Sequence, residues 1–194
     1  VNKINDILDK IHALENELAA ELRQGQDKLW YTVGRKKIQF SEKVRENHKL
    51  FAAKLSDYVY DSGLLIILTI PVIWSALIPA LILDGVIYLY QLVSFPVYGI
   101  PRVKRGEYII IDHQKLGYLN WMEKLNCIYC GYFNGLMGYL REVAARTEQY
   151  WCPIRHARPL KSVHGRYRHF FEYGDAQGYR EGLASVRKKF DDLE

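Results

Sequence analysis

The spacing of apolar residues changes character along this chain, and each change predicts an element. Ile4, Ile7, Ile11, Leu14 and Leu18 alternate steps of three and four, the a/d pattern of a coiled coil. The pattern lasts about two heptads before Leu22 and the sequence Arg23-Gln24-Gly25-Gln26, too short for a stable isolated coil. A partner is therefore expected, either the next helix as an antiparallel hairpin or another subunit. The region reads as an assembly element that joins a protein partner or a second copy in a homo-oligomer. A second helix is predicted from Ser41, an N-cap residue, to Tyr60, with Val44, His48, Phe51, Leu55 and Tyr58 on its apolar face. His48 on that face reads as a packed, hydrogen-bonded side chain rather than a ligand.

From Gly63 to Pro101 the only formal charge is Asp84. Leu64 to Leu83 supplies about twenty uncharged, mostly branched residues, enough to cross a hydrocarbon layer of roughly 30 Å. A buried core helix normally stops at about 10 to 14 apolar residues, so membrane insertion is the expectation. Asp84-Gly85 is a turn signal, and a second apolar run follows from Val86 to Ile100. Either the two runs form a helical hairpin, or the first spans and the second lies along the interface or packs on the protein. The second run is short for a crossing, and its Tyr88, Tyr90 and Tyr98 suit the headgroup level. Lys49 and Lys54 upstream and Arg102-Val103-Lys104-Arg105 downstream make both flanks cytoplasmic, which favours the hairpin. Pro71 and Pro79 each remove a backbone donor and predict a kinked first helix. The run starts too far along, and is too long, to be a signal peptide. Val1 in place of Met leaves room for residues upstream.

Beyond the apolar runs, Tyr108 to Ile111 looks strand-like, Leu136 to Tyr150 reads as a helix ended by Cys152-Pro153, and Asp175 to Leu193 as an amphipathic helix. The expected fold is an all-α membrane protein: N-terminal amphipathic, coiled-coil-like helices over 1–61, a membrane-embedded hairpin over 62–101, and a cytoplasmic Cys/His helical region with a basic tail over 102–194. The net charge of +5 matters for where it falls. Between Pro153 and His169 lie Arg155, Arg158, Lys161, Arg166 and Arg168, with three histidines and no acid. A solvated basic loop is one reading. A patch on anionic lipid headgroups is the other, and there Arg102, Lys104 and Arg105 join the set. Nucleic acid ranks below a membrane, which already supplies phosphates.

The three cysteines fall close together as Cys127-x2-Cys130-x21-Cys152-x3-His156. Three thiolates and an imidazole complete a tetrahedral set, so a structural zinc site is expected on Cys127, Cys130, Cys152 and His156, with iron the second choice. An odd cysteine count argues against a disulfide framework. A shared site demands that the chain reverse between Cys127 and Cys152, and Gly131, Asn134-Gly135 and Gly138 offer the means. The same glycines lie at helical spacing and read equally as a small-residue face for a close neighbour. Separate structural thiols, or a redox dithiol at a helix start, are the alternatives. Phosphate loops, His-Glu-x-x-His and Gly-x-Ser-x-Gly are absent from the sequence, as is Glu-x-x-His. Asp112-His113 does not read as a dyad, and no catalytic residues are assigned.

Two stretches, Asn126-Cys127-Ile128-Tyr129-Cys130-Gly131 and Glu142 to Ala157 with its Tyr150-Trp151-Cys152-Pro153-Ile154-Arg155-His156 core, resemble a group of uncharacterised bacterial inner-membrane proteins. The likeness covers residues 105 to 158 and implies a bacterial membrane setting without implying an activity. The expected function is a membrane-anchored scaffold or accessory subunit held by a Cys3His metal. A membrane-bound redox or metalloenzyme using the same cysteines is the alternative.

Overall fold

The computed structural model describes residues 2–25, 31–34, 37–52 and 55–193, and these are mainly helical with one long apolar helical stretch. Helix α1 runs Asn2–Gly25. A short antiparallel ribbon follows, β1 (Tyr31–Gly34) against β2 (Lys37–Phe40), in the register Tyr31↔Phe40 to Gly34↔Lys37. This ribbon is an exception to the expected all-α content. Helix α2 (Glu42–Leu50) starts after Ser41, which holds the extended backbone of an N-cap without a side-chain bond. The single helix predicted to Tyr60 ends instead at Leu50, and α3 (Leu55–Ser75) takes up separately, with Gly63 at φ 73° breaking its early part.

Helix α4 (Leu77–Tyr98) includes Asp84 and Gly85, so the turn expected there is not formed and the predicted hairpin loses its apex. The break in the apolar run lies earlier, at Ala76. Pro79 has no N–H for Ser75, and the hydroxyl of Ser75 turns onto Val72 O at 2.7 Å. Pro79 falls in the first turn of α4, where a missing donor costs nothing. The helix ends in a Schellman motif: Gly99 at φ 70° lets Ile100 N reach Phe95 O at 2.9 Å and Gly99 N reach Pro96 O. A short helix α5 (Arg105–Tyr108) comes next, then irregular chain where a strand was anticipated, then α6 (Trp121–Trp151) and α7 (Ala176–Val186).

Helix α6 opens with a reciprocal cap. Asn120 Oδ1 accepts from the amides of Met122 and Glu123, and the Glu123 carboxylate accepts from Asn120 N at 2.8 Å. No proline interrupts the 31 residues that follow. At 1.5 Å per residue the helix is about 46 Å long.

The chain divides into two compact units. In the unit made of residues 13–80 and 109–135, α6 packs on the end of α3: Tyr129 stacks obliquely on Trp74 and donates to Ile73 O at 2.9 Å, beside the helix break. Ile110 O crosses Gly131 so closely that a Cβ there would lie 3.2 Å away. His48 is packed, as read from the sequence. Its ring lies edge-on between Phe40 and Tyr118, and its Nδ1 accepts from Gly117 N. In the unit made of residues 1–12, 81–108 and 136–194, Leu136, Tyr139, Val143 and Gln149 of α6 are almost wholly buried, at helical spacing. Gly138 meets the Tyr108 ring in the same way. The small-residue face therefore exists, and it receives the 108–110 segment rather than a helix.

Helix α7 is shorter than the predicted 175–193. Asp175 caps it by accepting from Gly178 N at 2.9 Å. Its far end is closed by a side chain from α6: Gln149 Nε2 donates to Val186 O at 2.9 Å and Lys189 O at 2.7 Å. Val186 O also accepts from Lys189 N at 3.2 Å, and Lys189 O lies 3.5 Å from Arg166 Nη1, so the terminal carbonyls are shared among several donors. Phe190 then buries itself and the chain leaves helical geometry.

Candidate membrane-binding site

The stretch Leu65–Tyr98 is long and apolar enough to cross a membrane, and only 6% of its most apolar window is buried within the protein. A core helix of a soluble domain would show the reverse. Polarity on α4 is inverted as well. Its buried face carries Asp84 (8% exposed) and Gln91 (4%) beside Phe95. Leu81, Ile82, Val86, Leu89, Val93 and Val97 face outward and are all more than half exposed.

The buried polar side chains of α4, Asp84 and Gln91, are both hydrogen-bonded. Gln91 Nε2 donates to the Tyr139 hydroxyl, and Gln91 Oε1 accepts from Val103 N at 2.8 Å. Tyr90 and Thr147 share a hydroxyl contact at 3.2 Å. Asp84 takes a forked pair from Arg105, Nη2 to Oδ2 at 2.7 Å and Nε to Oδ1 at 3.1 Å. The geometry follows from the Schellman turn, which sends residues 101–105 back along α4. Arg102 completes the arrangement. Pro96 cannot donate to Leu92 O, and Arg102 Nη2 does so in its place at 3.3 Å. At the end of α4, Tyr98 stacks on Tyr150 at 4.9 Å and meets Trp151 edge-on, and Arg187 lies over the Tyr150 ring.

The lipid-headgroup set proposed from sequence splits in two. Arg102, Lys104 and Arg105 lie together on the returning strand, with Lys104 paired to Glu107 at 3.2 Å. Arg158 and Lys161 are exposed. Arg155 and Arg166 are buried and Arg168 is half-buried, and each is paired with a carboxylate. Arg155 is buried, pairs with Glu172 and donates to Asn5 Oδ1 at 2.6 Å. Arg166 and Arg168 both grip Asp192. Burial pushes the Asp192 carboxyl up, but the two guanidiniums prevail and hold it below the usual carboxylate range. His169 beside them accepts from Arg168 Nε at 3.2 Å. Burial first, then the charges of Arg166, Lys189 and Arg168, lower its pKa to about 4. These partners lie outside the acid-free window, which is why the sequence presented the basic residues as a free patch.

The cysteine cluster is not assembled. Cys127 and Cys130 share one face in the first third of α6, Cys152 lies past its last residue, and the helix between them is continuous through Gly131, Gly135 and Gly138. The reversal anticipated between Gly131 and Gly138 is not formed, since the helix runs on through it. The backbone amide of His156 donates to the Tyr167 hydroxyl. Among the described residues no group of three or more His, Cys, Asp or Glu is placed to hold a metal. All three thiols are free. Asp112 and His113 approach only to 4.0 Å, both well exposed.

Along α1, Ile4, Ile7, Ile11, Leu14 and Leu18 are exposed, so the heptad seam is not consumed by packing within the chain. The features that sequence reasoning missed are the inward-facing Asp84 and Gln91. Their spacing of seven places them on one helix face, a signal present in the sequence. Comparison with protein-family models, with curated proteins and with solved structures finds no match to this chain.

Proposed function

We propose that this protein is a membrane-anchored scaffold or accessory subunit of the bacterial inner membrane, with α4 as its lipid-embedded element and α1 as its assembly surface. The observation that carries the reading is the inverted polarity of α4, with Asp84 and Gln91 paired inward and branched apolar residues outward. Ionisable groups within lipid-embedded helices face the protein and pair there.

The returning strand bears on how α4 meets the bilayer. Arg102, Lys104 and Arg105 run back beside α4 as far as Asp84. A row of cations beside the middle of a spanning helix would be expensive in hydrocarbon. We therefore favour α4 lying at the interface, its outward face in one leaflet and its strand side toward water, with residues 1–61 and 102–194 both cytoplasmic. Tyr98, Tyr150 and Trp151 suit the headgroup level of that placement. The partner joined through α1 is a protein or a second copy.

Depth measurement tests this. In vesicles, a spin label at Leu89→Cys, with the native cysteines changed to Ser, should report a position within one leaflet. Labels at Lys3→Cys and Arg158→Cys should react from the same side. A label near the bilayer midplane, with the two flanks on opposite sides, would establish a crossing helix instead.

A further inference from the structure

We infer that the cleft between residues 101–105 and α4 holds the phosphate of one anionic membrane lipid, a conclusion that rests on the membrane reading above. The cleft is about 90 Å³ and is lined by Tyr88, Gln91, Leu92, Arg102, Arg105 and Tyr139, with Val103 at its back. It has room for a phosphate-sized group but not for a whole lipid. Two guanidiniums line it, that of Arg102 exposed and that of Arg105 paired with Asp84, and no carboxylate is among its lining residues. Its polar floor is rigid: Gln91 and Tyr139 are buried and bonded to one another, and Gln91 is fixed again by Val103 N.

The rim points to an amphiphile rather than a soluble phosphate. Tyr88 and Leu92 line the cleft and are themselves exposed. They continue into Leu89 and Val93 on the outward face of α4. A phosphate seated between Arg102 and Arg105 would place its acyl chains along that face. Arginine suits the role, since its planar fork matches phosphate oxygens and gives charge-assisted bonds.

The test uses the whole chain in mild detergent, with lipid adducts read by native mass spectrometry. Phosphatidylglycerol should bind as a single retained adduct, and phosphatidylcholine, its phosphate balanced by choline, at least about tenfold more weakly. Arg102→Gln still offers an N–H to Leu92 O but carries no charge, and it should lower phosphatidylglycerol retention about tenfold or more. Arg102→Lys should restore most of it, and Arg158→Gln, which removes the same charge from an exposed position, should leave it unchanged. An equal loss in Arg158→Gln would mean diffuse surface charge and overturn the site. So would displacement by millimolar inorganic phosphate, which would assign the cleft to a soluble anion, or the absence of any adduct on the wild-type chain. Co-sedimentation with phosphatidylcholine vesicles tests the membrane reading separately. Arg102→Gln should still sediment with them, and failure of the unmodified chain to sediment would sink the anchor itself.

Discussion

The Asp84–Arg105 pair lends itself to a quantitative test of how α4 is held. Two unit charges about 4 Å apart attract by about 4 kcal/mol at an effective dielectric of about 20. Solvent reduces this here, because the Arg105 side chain remains 43% exposed while that of Asp84 is only 12% exposed. The asymmetry makes the two single losses unequal. In Asp84→Leu, Arg105 can swing toward water, and the expected cost is about 1 kcal/mol. In Arg105→Leu, a nearly buried carboxylate loses its charged partner, and the cost rises to about 3 kcal/mol. The double variant Asp84→Leu/Arg105→Leu removes both charges and should return to within about 1–2 kcal/mol of wild type, since an apolar pair replaces an ionic one at little net loss. The coupling in the cycle is then about 2 kcal/mol. Reversible unfolding of the four proteins in one detergent, followed by far-ultraviolet circular dichroism, gives each value. Equal costs for the two single variants, or a coupling under about 0.5 kcal/mol, would show that the pair does not hold the returning strand to α4.

Ile11→Asp with Leu18→Asp places two charges on the exposed seam of α1. It should change the assembled size seen by light scattering while membrane association persists; an unchanged size would reduce the seam to a surface without a partner. Gly182 lies 2.7 Å, measured from an ideal Cβ, from the Phe171 ring. Gly182→Ala should therefore destabilise the α7 packing by about 1–3 kcal/mol despite its better helix propensity, read as a lowered Tm. The third expectation concerns acid. His169 is neutral in the fold with a pKa of about 4 against 6.5 when unfolded, so the unfolded chain binds the extra proton between those values. Stability contributed by the neutral ring is full above about pH 6.5 and is lost as pH falls toward 4. Asp192, held low by Arg166 and Arg168, adds a further loss below the ordinary carboxylate range. Hydrogen-exchange protection of residues 187–193, taken relative to the intrinsic rate at each pH, should fall across that window, and His169→Gln should flatten the response; an unaltered pH profile in that variant would exclude the ring as the titrating group.

What the sequence reveals here is whatever is written locally. The helical spacing from Ile4 to Leu18, the uncharged run after Gly63 and the helix stop at Cys152-Pro153 all depend on near neighbours, and each has its counterpart in the structure. Asp84-Gly85 misled because the pair is a turn signal by itself, while the residue that makes Asp84 acceptable in a helix, Arg105, lies a full strand return away. Arg155, Arg166 and Arg168 looked unpartnered for the same reason, since Glu172 and Asp192 stand beyond the basic window. The chain reversal expected between the cysteines was misread for a different reason. Their spacing satisfied a ligand count, but a count carries no geometry. The cap at Asn120 and Glu123, with no proline before Pro153, is what makes one uninterrupted helix of the intervening chain.

The inward face of α4 also sets an order of events. The groups that satisfy Asp84 and Gln91 are Arg105, Val103 and Tyr139, all synthesised later than the helix they serve. At about 5–20 residues per second, roughly 3–11 s pass between the emergence of Asp84 and that of Tyr139. During that interval the inward-facing carboxylate lacks the guanidinium of Arg105, which disfavours seating the helix against lipid. On the interfacial placement proposed above, α4 thus settles poorly on the leaflet while it is alone. Its stable seating waits until the ribosome has delivered α6 as far as Tyr139, and a truncation before that residue should remain extractable.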